Sequence, residues 1–272
     1  MRARKGLQEM IKQAPLPWAD PIGSDKHEWH RYSAFYRRHF ATLGEVAAVL
    51  EFGVLNGASI RWLRRLFPQA EIVGVDILPR QPNWPDEPGI RYVQADQGDR
   101  PGLERLLRPP GGGFDLVIED GSHIPQHQAA CLALVFPMVR PGGLYVLEDL
   151  HSSLPWHPLY LEHCAPGTPT ALTVLLAIER LRAAGRSLPA AEAARLAAPG
   201  LFTAADIARL DARIADVELF RRASLPLRCW SCGSDAFDVV ALRCACGVSL
   251  SLADPDSMTA VLRAGGSAPP AG

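Results

Sequence analysis

No run of this sequence is long and apolar enough to cross a bilayer. No apolar leader core follows the basic start Met1 to Lys5, which gives way to Gln8, Glu9 and a proline-rich stretch. On these absences neither a membrane span nor a secretory leader is expected, and the expected compartment is the cytoplasm. An excess of either charge is also lacking: 28 Lys and Arg face 29 Asp and Glu, a net charge of -1. Nothing there marks a nucleic-acid partner. There is no internal repeat, and cysteine is scarce outside one cluster, with four of the six lying between Cys229 and Cys246.

What is present is the composition of a globular chain, 48% hydrophobic and 21% charged over 272 residues. That length accommodates one α/β domain and a small appendage. Pro15, Pro17, Pro21 and Gly23 break up residues 1–24, which read as an arm. Trp29, Tyr32, Phe35, Tyr36, His39 and Phe40 recur at helical spacing and predict one amphipathic helix over 25–43. From Val46 onward short apolar strands alternate with helices: strands at 46–52, 71–77, 90–93, 114–118 and 144–147, helices at 58–67, 103–107 and 126–139. Near-continuous apolar strands between helices predict a doubly wound, Rossmann-like parallel sheet covered on both faces. Helices are expected at 168–184, 190–196 and 204–212, with a late strand at 216–220. The expected organisation is therefore a main domain over 25–225, a cysteine module over 226–252 and a loose Gly, Ala, Ser and Pro tail over 253–272.

The strand ends carry the chemistry. The first strand runs into Glu51-Phe52-Gly53-Val54-Leu55-Asn56-Gly57, a glycine turn opening a helix. Ligands of open α/β sheets sit at this edge, where glycine lets the backbone approach them. The second strand ends in Asp76, a carboxylate able to accept both hydroxyls of a ribose, and the third in Gln94-Ala95-Asp96-Gln97, where an adenine can be bonded. Together these predict an adenosine-containing cofactor bound by Glu51, Gly53, Gly57, Asp76, Asp96 and Gln97. Leu55 stands where a dinucleotide loop has its middle glycine, and Glu51 suits an ammonium better than a diphosphate. S-adenosylmethionine is thus expected rather than NAD. An NAD-dependent enzyme and a non-catalytic binding module on the same fold remain the alternative readings.

The fourth strand ends Glu119-Asp120-Gly121-Ser122-His123 and the fifth Glu148-Asp149-Leu150-His151. Neighbouring strands would bring Asp120, Glu148 and Asp149 together, and three carboxylates call for a cation. An all-oxygen set suits Mg²⁺ or Mn²⁺. An ion there would lower the pKa of a bound hydroxyl, with His123, or His151 in its place, taking the proton.

The segments GSDKHEWHRYSAFYRRHF, VLEFGVLNGASIRWLRRLFPQAEIVGVDI, QADQGD, DLVIEDGSHIPQHQ and FPMVRPGGLYVLEDLHSS resemble the macrolide sugar O-methyltransferases of the mycinamicin and tylosin type. The resemblance spans about residues 22–155. It implies a class I methyltransferase fold, S-adenosylmethionine as donor, Mg²⁺ on Asp120, Glu148 and Asp149, His123 as base, and a sugar hydroxyl on a small molecule as acceptor. Beyond residue 155, where acceptor specificity is expected, the match is poor.

The cysteine cluster reads Cys229-Trp230-Ser231-Cys232, then after eleven residues Cys244-Ala245-Cys246. Four thiolates at this spacing, with Gly233 and Gly247 allowing tight turns, predict a structural Zn²⁺ ribbon. The second pair departs from the usual CxxC, and free thiols in a small hairpin are the competing reading.

Overall fold

The structure, a computed structural model, describes residues 23–198, 200–251 and 256–266. The arm expected over 1–24 lies outside them, save Gly23 and Ser24. The aromatic segment forms two helices, α1 (Asp25–Glu28) and α2 (Tyr32–Phe40), where one was expected. The break is Arg31, whose φ of 61° is left-handed and cannot continue a helix. Then follow β1 (Ala48–Phe52), α3 (Ala58–Leu66), β2 (Glu71–Asp76), β3 (Ile90–Gln94), α4 (Arg100–Leu106), β4 (Phe114–Glu119), α5 (Pro125–Val135) and β5 (Val139–Leu147). After these come α6 (Pro158–His163), α7 (Ala171–Ala183), α8 (Ala190–Ala197), α9 (Ala204–Arg213), β6 (Ile214–Arg221), the short β7 (Phe237–Asp238) and β8 (Arg243–Cys244), and β9 (Met258–Ala264).

The main sheet has the order β3-β2-β1-β4-β5-β9-β6. Strands β1 to β5 are parallel, β9 runs antiparallel to β5, and β6 runs antiparallel to β9. The class is the expected one, but the sheet is mixed. The expectation of a loose tail from residue 253 fails here: residues 258–264 are a strand wedged between β5 and β6. Composition misled because glycine and proline flank the strand, while Ala260, Val261 and Leu262 themselves are fully or almost fully buried.

Side chains alternate across the sheet as the pleat requires. Leu50, Phe52, Val73, Val75, Tyr145, Leu147, Ala260 and Leu262 join the layer under α4, α5, α7, α8 and α9. Val49, Ile72, Leu116, Ile118, Leu144, Val146 and Val261 join the opposite layer, which α2 and α3 cover with Tyr32, Tyr36, Phe40, Ile60, Trp62 and Leu63. Helix starts are set locally: the Asp99 side chain accepts from Gly102 N at α4, and Thr203 and Asp206 form a capping box at α9. The cysteine module sits in the connection from β6 to β9, with a small core of its own made by Trp29, Cys229, Cys244 and Leu250. Among the described residues no helix is long and apolar enough to cross a membrane.

Candidate functional site

Parallel register aligns the carboxyl ends of five strands. Phe52 is opposite Val75 and Glu119, Asp76 opposite Gln94, and Glu119 opposite Leu147. The ladder continues one residue further, through Gly53 N to Val75 O at 2.9 Å, Asp120 N to Phe52 O at 3.1 Å and Glu148 N to Glu119 O at 2.9 Å. The glycine turn, Asp76, Ala95–Gln97, Asp120–His123 and Glu148–Asp149 therefore share one edge. Three non-glycine residues there hold left-handed backbones: Leu55 (φ 49°), His123 (φ 58°) and Asp149 (φ 53°). Such strain persists where the surroundings fix it, and it gathers at functional sites.

A cavity of about 300 Å³ opens at this edge, lined in part by Gly53, Asp76, Asp96, Gln97, Gly121 and His127. Gly53 has a φ of 83°, and a Cβ there would collide with the Asp120 carbonyl oxygen. The turn after β1 thus packs directly on the loop after β4. Asp76 shapes that turn as well as facing the cavity, since one carboxylate oxygen accepts from Val54 N at 2.9 Å and Leu55 N at 3.3 Å. Its other oxygen accepts from Leu78 N at 2.9 Å. Gln97 is buried; its amide donates to the Glu119 carboxylate and accepts from Ser122 N at 2.9 Å. Two of the expected cofactor residues are not in the lining of this cavity. Glu51 is fully buried behind the turn, accepting from Ser59 Oγ and lying 3.8 Å from Lys26 Nζ, so the ammonium it meets is the chain's own. Gly57 is a left-handed turn residue packed against Trp84 and Pro85.

Beside this cavity the acids gather. The ammonium of Lys26, on α1 and only 1% exposed, pairs with Asp120 and lies 3.1 Å from Glu148 Oε1. Burial alone would lower its pKa, but Asp120, Glu148 and Glu51 hold it well above the usual lysine value, so it stays charged. Burial pushes Glu51 up to about 7 and Glu119 up to about 7, and burial together with Asp120 drives Glu148 well above the carboxylate range. Asp149 behaves oppositely. Burial would raise it, yet His30, His123 and His151 hold it at about 2. Tyr32 Oη donates to it at 3.0 Å, and His123 Nε2 lies 3.5 Å from Asp149 and 3.9 Å from Asp120. His123 is raised overall by Asp149, Asp120 and Glu119 against the effect of burial. Burial lowers His151 to about 4, so it is neutral at neutral pH.

Ligand-type atoms of Asp120, His123 and Asp149 all lie within 4.8 Å of one another, a group able to hold a metal ion. Two expected acids are in it and Glu148 is not, because the Glu148 carboxylate turns toward Lys26. The donors fit a divalent cation: the carboxylates of Asp120 and Asp149 converge, with the His123 imidazole beside them. Lys26, His30, Tyr32 and Glu119 were absent from the sequence-based site. Lys26 was visible only as one residue of the GSDKHEWH segment, and nothing local marks it as buried. The four clustered cysteines also come together, every Sγ within 4.8 Å of the others.

A family model described as a methyltransferase domain matches residues 50–150. The chain is 42% identical over 129 residues to the mycinamicin VI 2''-O-methyltransferase of Micromonospora griseorubida, covering 44% of this chain and 32% of that one. It is 30% identical over 179 residues to a ribosomal RNA large subunit methyltransferase E of Rhizorhabdus wittichii, covering 55% of this chain and 76% of that one. A crystal form of the MycE methyltransferase of the mycinamycin biosynthetic pathway, in complex with Mg and SAH, superposes with a TM-score of 0.51 at 31% identity. That match covers 69% of this chain and 50% of the other. The chain thus spans about a third of the mycinamicin relative's length.

Proposed function

We propose, for a chain that belongs to the S-adenosylmethionine-dependent methyltransferases, that it methylates a hydroxyl of a small glycosylated molecule with the help of a divalent cation. The observation that carries the reading is the packing of Gly53 on Asp120, which sets the acid and histidine cluster against the cofactor cavity. Adenosine is assigned to the cavity with Asp76, Asp96 and Gln97. The methionine end is assigned to the adjoining cavity of about 360 Å³, which shares Gly53 and adds Ser24, Lys26, Asn56 and Asp120.

Asp120 and Asp149 are the acids that would hold the cation, with Glu148 joining them once its carboxylate leaves Lys26, the charge that neutralises Asp120 and Glu148 without the ion. An ion there would lower the pKa of a coordinated hydroxyl, making an alkoxide accessible near neutral pH. The chain's own residues do the rest. His123 accepts the hydroxyl proton, and Asp149 steadies the imidazolium that results. The freed oxygen pair bonds to the sulfonium methyl, and the S–CH₃ pair returns to sulfur, leaving S-adenosylhomocysteine. Gln97, between Glu119 and Ser122, fixes the loop that carries His123. A glycosylated acceptor is supported by a relative 41% identical over 139 residues whose named substrate is a rhamnosyl tetracenomycin.

The test is transfer of labelled methyl from S-adenosylmethionine to a panel of macrolide and rhamnosyl glycosides, with and without chelator. Excess chelator should stop turnover while S-adenosylhomocysteine affinity, by calorimetry, stays within about twofold. Full transfer in chelator would remove the metal from the mechanism, and absence of cofactor binding would remove the activity.

A further inference from the structure

The segment between β6 and β9 is built around its four cysteines. Cys229 and Cys244 are buried, Cys232 and Cys246 exposed. Each pair closes on a glycine with left-handed φ: Gly233 (71°) donates to Cys229 O at 2.9 Å, and Gly247 (91°) donates to Cys244 O at 2.8 Å. Only glycine takes that backbone at little cost. The two turns bring Cys229 Sγ to 3.7 Å from Cys246 Sγ, and Cys232 Sγ to 3.5 Å from Cys244 Sγ. A Zn–S bond of about 2.3 Å makes the edge of a thiolate tetrahedron about 3.8 Å, whereas a disulfide holds sulfurs at about 2.0 Å. The spacing found is that of the tetrahedron. An arginine stands at each turn, Arg228 bonded to Gly233 O at 3.3 Å and Arg243 to Gly247 O at 2.9 Å, which suits the double negative charge of a tetrathiolate zinc centre.

This module grips the turn that carries Lys26. Leu227 N and Arg228 N both donate to Glu28 O, at 2.7 and 3.1 Å. Trp29 packs on Cys229, Cys244 and Leu250, its indole N–H reaches Asp256 at 3.1 Å, and the buried Arg222 guanidinium lies 4.8 Å over its ring. The 360 Å³ cavity is lined by Lys26 and Asp120 together with Arg228 and Trp230 of the module.

We propose that Cys229, Cys232, Cys244 and Cys246 bind one Zn²⁺, and that the loop so formed clamps α1, holding Lys26 in the acid cluster and walling the cavity beside Asp120. Binding displaces the thiol protons to solvent and changes no oxidation state. Purified under reducing conditions, the chain should carry about one zinc by elemental analysis. Exchanged with Co²⁺, it should show the thiolate-to-cobalt absorption of a tetrahedral site. Cys232→Ser with Cys246→Ser, both at exposed positions, should abolish both signals, and the metal content of the unaltered chain decides the matter even if that variant misfolds. Removal of zinc should speed amide exchange over residues 25–33 at least tenfold, while exchange in β1 and β2 is unchanged. Failure of the reduced chain to take up zinc or cobalt, or iron in its place, overturns the site. Unchanged exchange over 25–33 overturns the clamp. S-adenosylhomocysteine affinity of the zinc-loaded chain reports on the methyltransferase reading separately, so either conclusion can fail alone.

Discussion

The chain gathers two clusters of metal-type ligands, and they solve the problem of crowded negative charge differently. At the strand ends the carboxylates meet basic groups of the same chain: the Lys26 ammonium pairs with Asp120 and faces Glu148, while the imidazole of His123, its pKa raised against burial by the acids around it, lies 3.5 Å from Asp149. In the cysteine module the sulfurs lie against one another and against backbone N–H groups of their own turns. Their arginines bond turn carbonyls. A cluster that carries its own counter-charges can release and rebind an ion, which chemistry needs. A cluster whose arginines stand at turn carbonyls rather than at the sulfurs calls for a permanent one, which architecture needs.

Four changes break or sharpen that contrast. The largest effect should come from His123→Ala, which removes the base and is expected to lower the methyl-transfer rate by roughly 10²–10⁴ with Mg²⁺ affinity kept. Loss of Mg²⁺ affinity in the same variant would make His123 a ligand instead. Next, Lys26→Met leaves buried acids uncompensated and should cost about 3–5 kcal/mol in urea denaturation without metal. Saturating Mg²⁺ should recover part of that loss, and an unaltered midpoint would mean the ammonium is not the internal counter-charge.

The third concerns Glu119, whose folded carboxyl titrates at about 7 against an ordinary 4.5. Below pH 4.5 both states hold the proton. Between about 4.5 and 7 only the unfolded chain has released it, so stability falls as pH rises and levels off above 7. Glu119→Gln should flatten this decline, worth about 3 kcal/mol, in midpoints measured across that range. An equally steep variant would assign the slope elsewhere. The smallest is Asp76→Ala, expected to weaken S-adenosylhomocysteine by about 1.5–3 kcal/mol by calorimetry. Because Asp76 also holds the amides of Val54 and Leu55, Asp76→Asn should recover only part of that binding.

Much of the fold was legible because most of the parallel strands carry a short, mainly apolar run between turn residues, Ile-Val-Gly-Val in β2 and Leu-Val-Ile in β4 among them. β1, read as 46–52, is Ala48–Phe52 with every residue buried. What was hidden depended on distant partners. Met258–Ala264 reads as tail until β5 and β6 flank it, and Arg31's left-handed backbone has no glycine or proline to announce it. At the site the acids and His123 were legible from their places at strand ends. Lys26 was not, since its burial arises from contacts with strands far along the chain. Glu51 was assigned to the cofactor's ammonium because sequence could not show Lys26 already there.

The placement of the cysteine module bears on how the chain folds. β6 and β9 are antiparallel neighbours, so the module is the loop of a very long hairpin, fastened at its base where Arg222 bonds Asp256 at 2.9 Å. Until β9 arrives, β6 has no neighbour in the sheet and β5 is an open edge, the state in which strands pair with the wrong chain. The entropy of bringing loop ends together grows with loop length, at roughly 0.6 kcal/mol per doubling. Cross-linking the module internally would shorten the free chain between Arg221 and Met258 and hasten closure. A thiol cluster outside the sheet would then set how long its edge stays exposed.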